Sequence, residues 1–149
     1  METEFQRVWN RIKAAGTFDE VTVLNNLICN ELQDAAAYSR LSQRTGTTRT
    51  RKRLSDLAAD ERRHAKRLQS AAYMLFGGNT MPSLQLQKEK ERGLEALRRR
   101  YARELEGIAA YKSAAEATAN GTLKKLYSAL YAEEEKHAAV LCSLIEEML

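Results

Sequence analysis

The sequence predicts an all-α protein built as a four-helix bundle, and three observations carry that expectation. A single proline interrupts 149 residues that are 44% hydrophobic and 30% charged, with Ala, Leu, Glu and Arg prominent; most of these are good helix formers in a water-exposed fold. Apolar residues recur at spacings of three and four along four long stretches, the signature of amphipathic helices. Finally, a shift of 73 positions lays the second half on the first: Glu31 falls on Glu104, Tyr38 on Tyr111, Glu61 on Glu134, His64 on His137 and Leu68 on Leu141. One offset thus relates two helix pairs. At this length a single domain, 1–149, is expected, large enough to bury a substantial core.

Phe5, Val8, Trp9 and Ile12 lie at helical spacing before Gly16. They predict a short N-terminal helix within 1–16 that packs its apolar stripe on the bundle, 19–149. The first long helix is expected over Asp19 to Gln43, with Leu24, Leu27, Ile28, Glu31, Ala35, Tyr38 and Leu41 facing inward. A carboxylate in an otherwise apolar face is informative, because burying it ionised requires a partner or a metal. Gly46 and its flanking threonines give a turn, with Thr48 or Thr50 as the cap. The second helix then runs to about Phe76, with Leu54, Leu57, Ala58, Glu61, His64 or Ala65, Leu68, Ala72 and Leu75 inward.

Gly77, Gly78, Asn79 and Pro82 break the pattern. A third helix starting near Glu89 leaves about 12 residues of connection, which extend to roughly 40 Å, against roughly 42 Å for a helix of about 28 residues. The expectation is therefore a long end-to-end crossover between helices two and three, flanked by two antiparallel hairpins. The third helix places Leu94, Leu97, Tyr101, Glu104, Ile108, Tyr111 and Ala115 inward, with Gly93 and Gly107 tolerated inside it. Asn120 and Gly121 end it and Thr122 caps the fourth. That helix carries Leu123, Leu126 or Tyr127, Leu130, Glu134, His137, Leu141 and Leu144 on its inward side.

Charge and cysteine content narrow the function classes. The net charge of +4 is modest, although Arg49, Arg51, Lys52 and Arg53, then Arg62, Arg63, Lys66 and Arg67, concentrate basic charge on the second helix. Without stacking aromatics or a recognisable motif, this reads as a solvated face and argues against a nucleic-acid partner. The start, METEFQRVWNRIK, has no long apolar core, and no apolar run approaches membrane-spanning length. A cytoplasmic protein with no membrane partner is expected. Cys29 and Cys142 form no short-spaced pair, so they read as isolated buried thiols and not as a disulfide or a cysteine-based redox module.

The chemistry lies in the repeat. The chain has two histidines, each three residues after a glutamate, so Glu61 with His64 and Glu134 with His137 each share a helical face. Two such helices, with Glu31 and Glu104 from the other two, are the ligand set from which a bundle builds a carboxylate-bridged dimetal centre. Two divalent ions would compensate four carboxylates that are too costly to bury ionised alone. Two Fe ions suit this donor set, with Mn as the alternative. Glu61 and Glu134 are the expected bridging ligands, Glu31 and Glu104 the terminal ones, and His64 and His137 each anchor one metal. Tyr38 and Tyr111 follow the first carboxylates on the same helices, as hydrogen-bonding or electron-transfer partners of the centre or as core packing. Asp34 and Asp60 are further candidates for contacts around it. A diferrous pair can pass one electron from each ion to an O–O bond, so H2O2 or O2 is the expected oxidant.

On these residues the stretch from Asp19 to Leu149 resembles the ferritin-like superfamily, and especially the rubrerythrin-like diiron proteins. Glu31 with Tyr38 and Glu104 with Tyr111 look like that family's glutamate and tyrosine helices, and the two Glu-x-x-His pairs look like its metal-binding pairs. The resemblance implies a ferritin-like bundle, a diiron-oxo site coupled to peroxide reduction, and a homodimer. Two departures matter. Gly107 stands where rubrerythrins place an additional carboxylate, and the chain lacks the rubredoxin-like module with its paired cysteine motifs. Electrons for an oxidoreductase or peroxidase of this kind are therefore expected from an external redox donor. A ferroxidase or iron-handling protein is the alternative, since it uses much the same ligands, and a dimanganese catalase-like enzyme is a third reading.

Overall fold

A computed structural model describes Met1, residues 17–77, Leu86 and residues 88–149. Its helices are α1 (Thr17–Gln43), α2 (Thr48–Phe76), α3 (Gly93–Ala117) and α4 (Gly121–Met148), with no strand among the described residues. This is a four-helix bundle. The expected N-terminal helix, with Phe5, Val8, Trp9 and Ile12, lies outside the described residues.

The helices start and stop where the chain satisfies their end groups. Thr47, not Thr48 or Thr50, caps α2, its hydroxyl accepting from the Thr50 N–H. Asn120 caps α4 by accepting from the Leu123 N–H, so it opens that helix and Thr122 lies inside the first turn. Gly77 closes α2 at φ 68°, its N–H donating to the Tyr73 carbonyl. α3 begins at Gly93 and not near Glu89; at φ 60° this glycine is the left-handed residue that opens the helix, not an exception within it.

Contacts across the bundle set the helix directions. Tyr38 meets Glu104 while Tyr111 meets Glu31, so α1 and α3 are antiparallel. Asp60 meets His137 while His64 meets Glu134, so α2 and α4 are antiparallel too. α1 packs chiefly on α2, and α3 on α4, as the two short-linked hairpins. α2 and α3 therefore point the same way, and 77–92 must connect opposite ends of the bundle. The later start of α3 makes this crossover easier. Its 16 residues reach roughly 55 Å, whereas α2, with 29 residues, is about 43 Å long.

Two apolar clusters fill the interior. One contains Leu24, Ile28, Leu68, Tyr111, Tyr127 and Leu130; the other contains Tyr38, Leu54, Leu57, Leu97, Leu141 and Leu144. Between them lies a polar layer in which Glu31, Glu61, His64, Glu104, Glu134 and His137 are each at most 4% exposed. Two inward sectors differ from expectation. Leu75, at the end of α2, is exposed. On α3 the buried positions include Ala96, Arg100 and Ala114, while Leu94, Tyr101, Ile108 and Ala115 are only half-buried. Arg100 can face inward because Asp34 and Glu89 pair with it there. Cys29 and Cys142 are free and half-buried, not buried. No helix among the described residues is long and apolar enough to cross a membrane.

Candidate metal centre

Each helix contributes to the polar layer: α1 gives Glu31, α2 gives Glu61 and His64, α3 gives Glu104, and α4 gives Glu134 and His137. The three-residue spacing keeps each Glu and His on one face, and donor atoms of Glu61, His64, Glu134 and His137 all lie within 4.8 Å of one another. Glu31 and Glu104 flank this quartet. Glu31 Oε2 is 3.5 Å from His64 Nδ1, and Glu104 Oε2 is 3.8 Å from His137 Nδ1. The central glutamates cross over: His64 Nδ1 lies 3.1 Å from Glu134 Oε1, and His137 Nδ1 lies 2.6 Å from Glu61 Oε1. The two imidazoles stack at 5.3 Å between ring centres, inclined by 13°.

The groups behind this layer orient it. Tyr38 donates to Glu104 and Tyr111 donates to Glu31, so each tyrosine serves the carboxylate of the facing helix. His137 Nε2 is 3.1 Å from Asp60 Oδ2, and His64 Nε2 contacts Glu133. In the neutral ring, a carboxylate on Nε2 favours a proton there and leaves the Nδ1 lone pair facing the centre. Asp60 is among the contacts expected from sequence and Glu133 is not, yet the repeat contains the signal: Asp60 shifted by 73 is Glu133. Asp34 takes a different part, with Oδ1 3.0 Å from an Arg100 guanidinium nitrogen.

Electrostatics makes the layer unfavourable as protein alone. Burial, reinforced by Glu31, holds Glu61 well above the usual carboxylate range. Burial and the neighbouring Glu134 push Glu104 up to about 9. Glu31 is lowered: burial opposes its ionisation, but contacts with Glu61, His64 and Tyr111 outweigh that. Burial would lower His64, yet Glu134 and Glu31 push it up to about 10. His137 is lowered by burial, with Glu104 in partial opposition. Burial and the carboxylate each one faces hold Tyr38 and Tyr111 well above the ordinary phenol value, so both remain donors. Glu31 Oε2, both Glu61 oxygens, Glu104 Oε2 and His137 Nδ1 make no well-aligned hydrogen bond, although His137 Nδ1 and Glu61 Oε1 are close. Unmet buried acceptors are costly, and these converge on one space. Their carboxylate and imidazole chemistry fits a dimetal site.

Bundle and layer together define a class: helical proteins whose core is lined by carboxylates and imidazoles that can hold a pair of metal ions. The family model for a ferritin-like domain matches residues 19–147, and the chain belongs to that family. Among solved structures it is similar to a dodecameric thioferritin, the bacterioferritin-related protein of Bacteroides fragilis, with TM-score 0.77 and 18% identity over 93% of this chain and 92% of that one. It is also similar to a ferritin-like, diiron-carboxylate protein of Bacillus anthracis str. Ames, with TM-score 0.73 and 22% identity over 85% of this chain and 95% of that one. At these identities the likeness shows the fold. Comparison with curated proteins gives no match.

Proposed function

We propose that this chain is a non-haem diiron oxidoreductase that reduces H2O2, or reacts with O2, using an external electron donor. The observation that supports the reading is the convergence of six buried side chains, four of which, Glu31, Glu61, Glu104 and His137, carry an atom without a hydrogen-bond partner. Glu31 and His64 would hold one ion, Glu104 and His137 the other, and Glu61 and Glu134 would bridge them. An iron pair bound there supplies one electron from each ion to an O–O bond; Mn is the alternative occupant. The chain's own residues orient and protect that chemistry. Asp60 and Glu133 fix the imidazoles, Tyr38 and Tyr111 hold the terminal carboxylates with a proton on each phenol oxygen, and the two apolar clusters limit water. Cys29 and Cys142 are both free and unpaired with one another, which motivates the external donor. A homodimer completes this reading, and sedimentation of the loaded protein checks it.

Iron handling is the second reading, in which Fe(II) is the substrate of the same side chains; the likeness to a dodecameric thioferritin favours it. Anaerobic reconstitution should load two iron ions per chain. Glu61→Ala or Glu134→Ala should reduce that to one or none, whereas Glu116→Ala, at an exposed position of α3, should leave it unchanged. On addition of H2O2 the prereduced protein should oxidise once and stop, restarting only when a donor is supplied. Oxidation without donor-dependent restart would favour iron handling, and many donor-free turnovers with O2 release would favour catalase-like chemistry. Saturation below two ions with both iron and manganese would reject the dimetal site.

A further inference from the structure

A cavity of about 260 Å³ lies in the groove between α1 and α3. Its wall is mostly apolar: α1 gives Val23 and Leu27, α3 gives Ala110, Ala114 and Ala117, and α4 gives Tyr127. The groove follows α1 from Glu20 to Asn30, so one end lies at the start of that helix, where residues 2–16 join the bundle. Those residues carry an apolar stripe of their own. Phe5, Val8, Trp9 and Ile12 recur at spacings of three and four, while Gln6, Arg7, Asn10 and Arg11 fall on the opposite side of a helix.

We propose that this groove binds the chain's own segment from Phe5 to Ile12, folded back antiparallel to α1 with its apolar stripe inward. Length supports the match. Phe5 to Ile12 and Val23 to Asn30 are equally far apart in sequence, and as helices each pair spans about 10 Å. Lys13 to Gly16 make the connection. These residues reach roughly 14 Å when extended, against about 8–10 Å between packed helix axes. Gly16 suits the reversal. Charge agrees as well: Glu20 is the one charged residue among the described ones lining the groove, and it lies at the end to which this packing brings Lys13. An apolar groove calls for apolar surface, and Phe and Trp side chains each bury about 150–250 Å². A tethered segment also outcompetes a free partner, because a short linker holds it at about millimolar effective concentration. Bound there, it covers the side of the bundle where the Tyr127 ring lies 6.4 Å from that of Tyr111, which donates to Glu31.

Trp9 is the chain's one tryptophan, so its fluorescence reads the docking directly. The test uses the metal-free full chain and does not depend on the dimetal reading. Trp9 should emit to the blue of the urea-unfolded chain and resist quenching by acrylamide, whatever the protein concentration. Ser113→Arg and Ala117→Arg, at exposed positions lining the groove, should each shift that emission to the red and restore quenching while helical circular dichroism is kept. Met74→Arg, in the exposed apolar patch at the end of α2, should change neither. In the reverse direction, Trp9→Ala should move the backbone amide NMR shifts of Val23, Leu27, Ala110 and Ala114. A native Trp9 quenched as readily as in the unfolded chain overturns the proposal. A protected Trp9 that ignores both groove variants, or answers to Met74→Arg instead, overturns it too, because the segment then packs elsewhere. So does protection lost on dilution, which would assign the groove to a second copy.

Discussion

Around Glu104 the supporting groups are ionic, whereas around Glu31 they are aromatic. Tyr38, which donates to Glu104, has the Arg100 guanidinium 5.5 Å above its ring, and Arg100, 2% exposed, is paired with Asp34 and Glu89. Tyr111, which donates to Glu31, lies instead against Tyr127 and the cavity beyond it. Shifted by 73, Asp34 falls on Gly107 and Leu27 falls on Arg100, so the repeat ends where the side chains no longer meet at the centre. If the inner residues hold metal as proposed, ligand geometry restricts them to a few types. The outer ones need only satisfy the groups in front of them, which ions or aromatics can do. The two halves also differ electrostatically within the layer: His64 is pushed up to about 10 despite burial, by Glu134 and Glu31, whereas His137 is lowered by burial.

The largest test of that asymmetry removes one support from each side. Arg100→Ala leaves Asp34 and Glu89 without their buried partner and should cost about 3–5 kcal/mol. Tyr127→Phe removes a hydroxyl that bonds nothing and should change stability by less than about 1 kcal/mol. Urea unfolding of the metal-free variants measures both, and equal losses would erase the ionic–aromatic distinction.

Stability of the metal-free protein should also depend steeply on pH. Glu61 is raised well above the usual range and Glu104 to about 9 by burial and neighbouring carboxylates. Asp34 is raised to about 7 by burial against the pull of Arg100, and His64 to about 10 by its carboxylate partners despite burial. All four bind protons more tightly folded than unfolded, so stability should fall as pH rises from about 4 to about 10. Opposing contributions are narrower: Glu31 adds stability only as pH climbs toward 4.5, and His137 only as it climbs toward 6.5. Denaturant midpoints across this range measure the slope, and bound metal or Glu104→Gln should flatten it. A slope of opposite sign would contradict the buried-carboxylate account.

Smaller effects separate the two tyrosines. Tyr38→Phe and Tyr111→Phe should each weaken one ion about tenfold, through Glu104 and Glu31 respectively, because partners behind a ligand typically carry that much. Competitive chelation should therefore resolve a different weakened position in each variant. The smallest change is at Gly107, where an added Cβ would lie 3.3 Å from Glu134 Oε2. Gly107→Ala should raise metal-free stability by less than about 1 kcal/mol through helix propensity. It should lower metal affinity, because Glu134 must shift; unchanged affinity would show that the carboxylate has room to spare.

Much of the centre was legible from local pattern. Glu31, Glu61, His64, Glu104, Glu134 and His137 share one helical phase and one repeat, and the structure brings all six into the same buried layer. Glu133 was within reach of the same offset. Helix ends were less legible: Asn120 and Gly93 are ambiguous signals, because each residue type can mark either side of a helix boundary. The sequence by itself determined the four helices, the crossover they require and the six side chains of the buried polar layer, since helical periodicity acts over a few residues. Only the tertiary structure decided that Tyr38 serves Glu104, that Arg100 is buried with Asp34, and that Tyr127 packs against Tyr111. Those pairings depend on how far each helix is rotated about its axis against its neighbours, and that is settled by packing between residues distant in the chain.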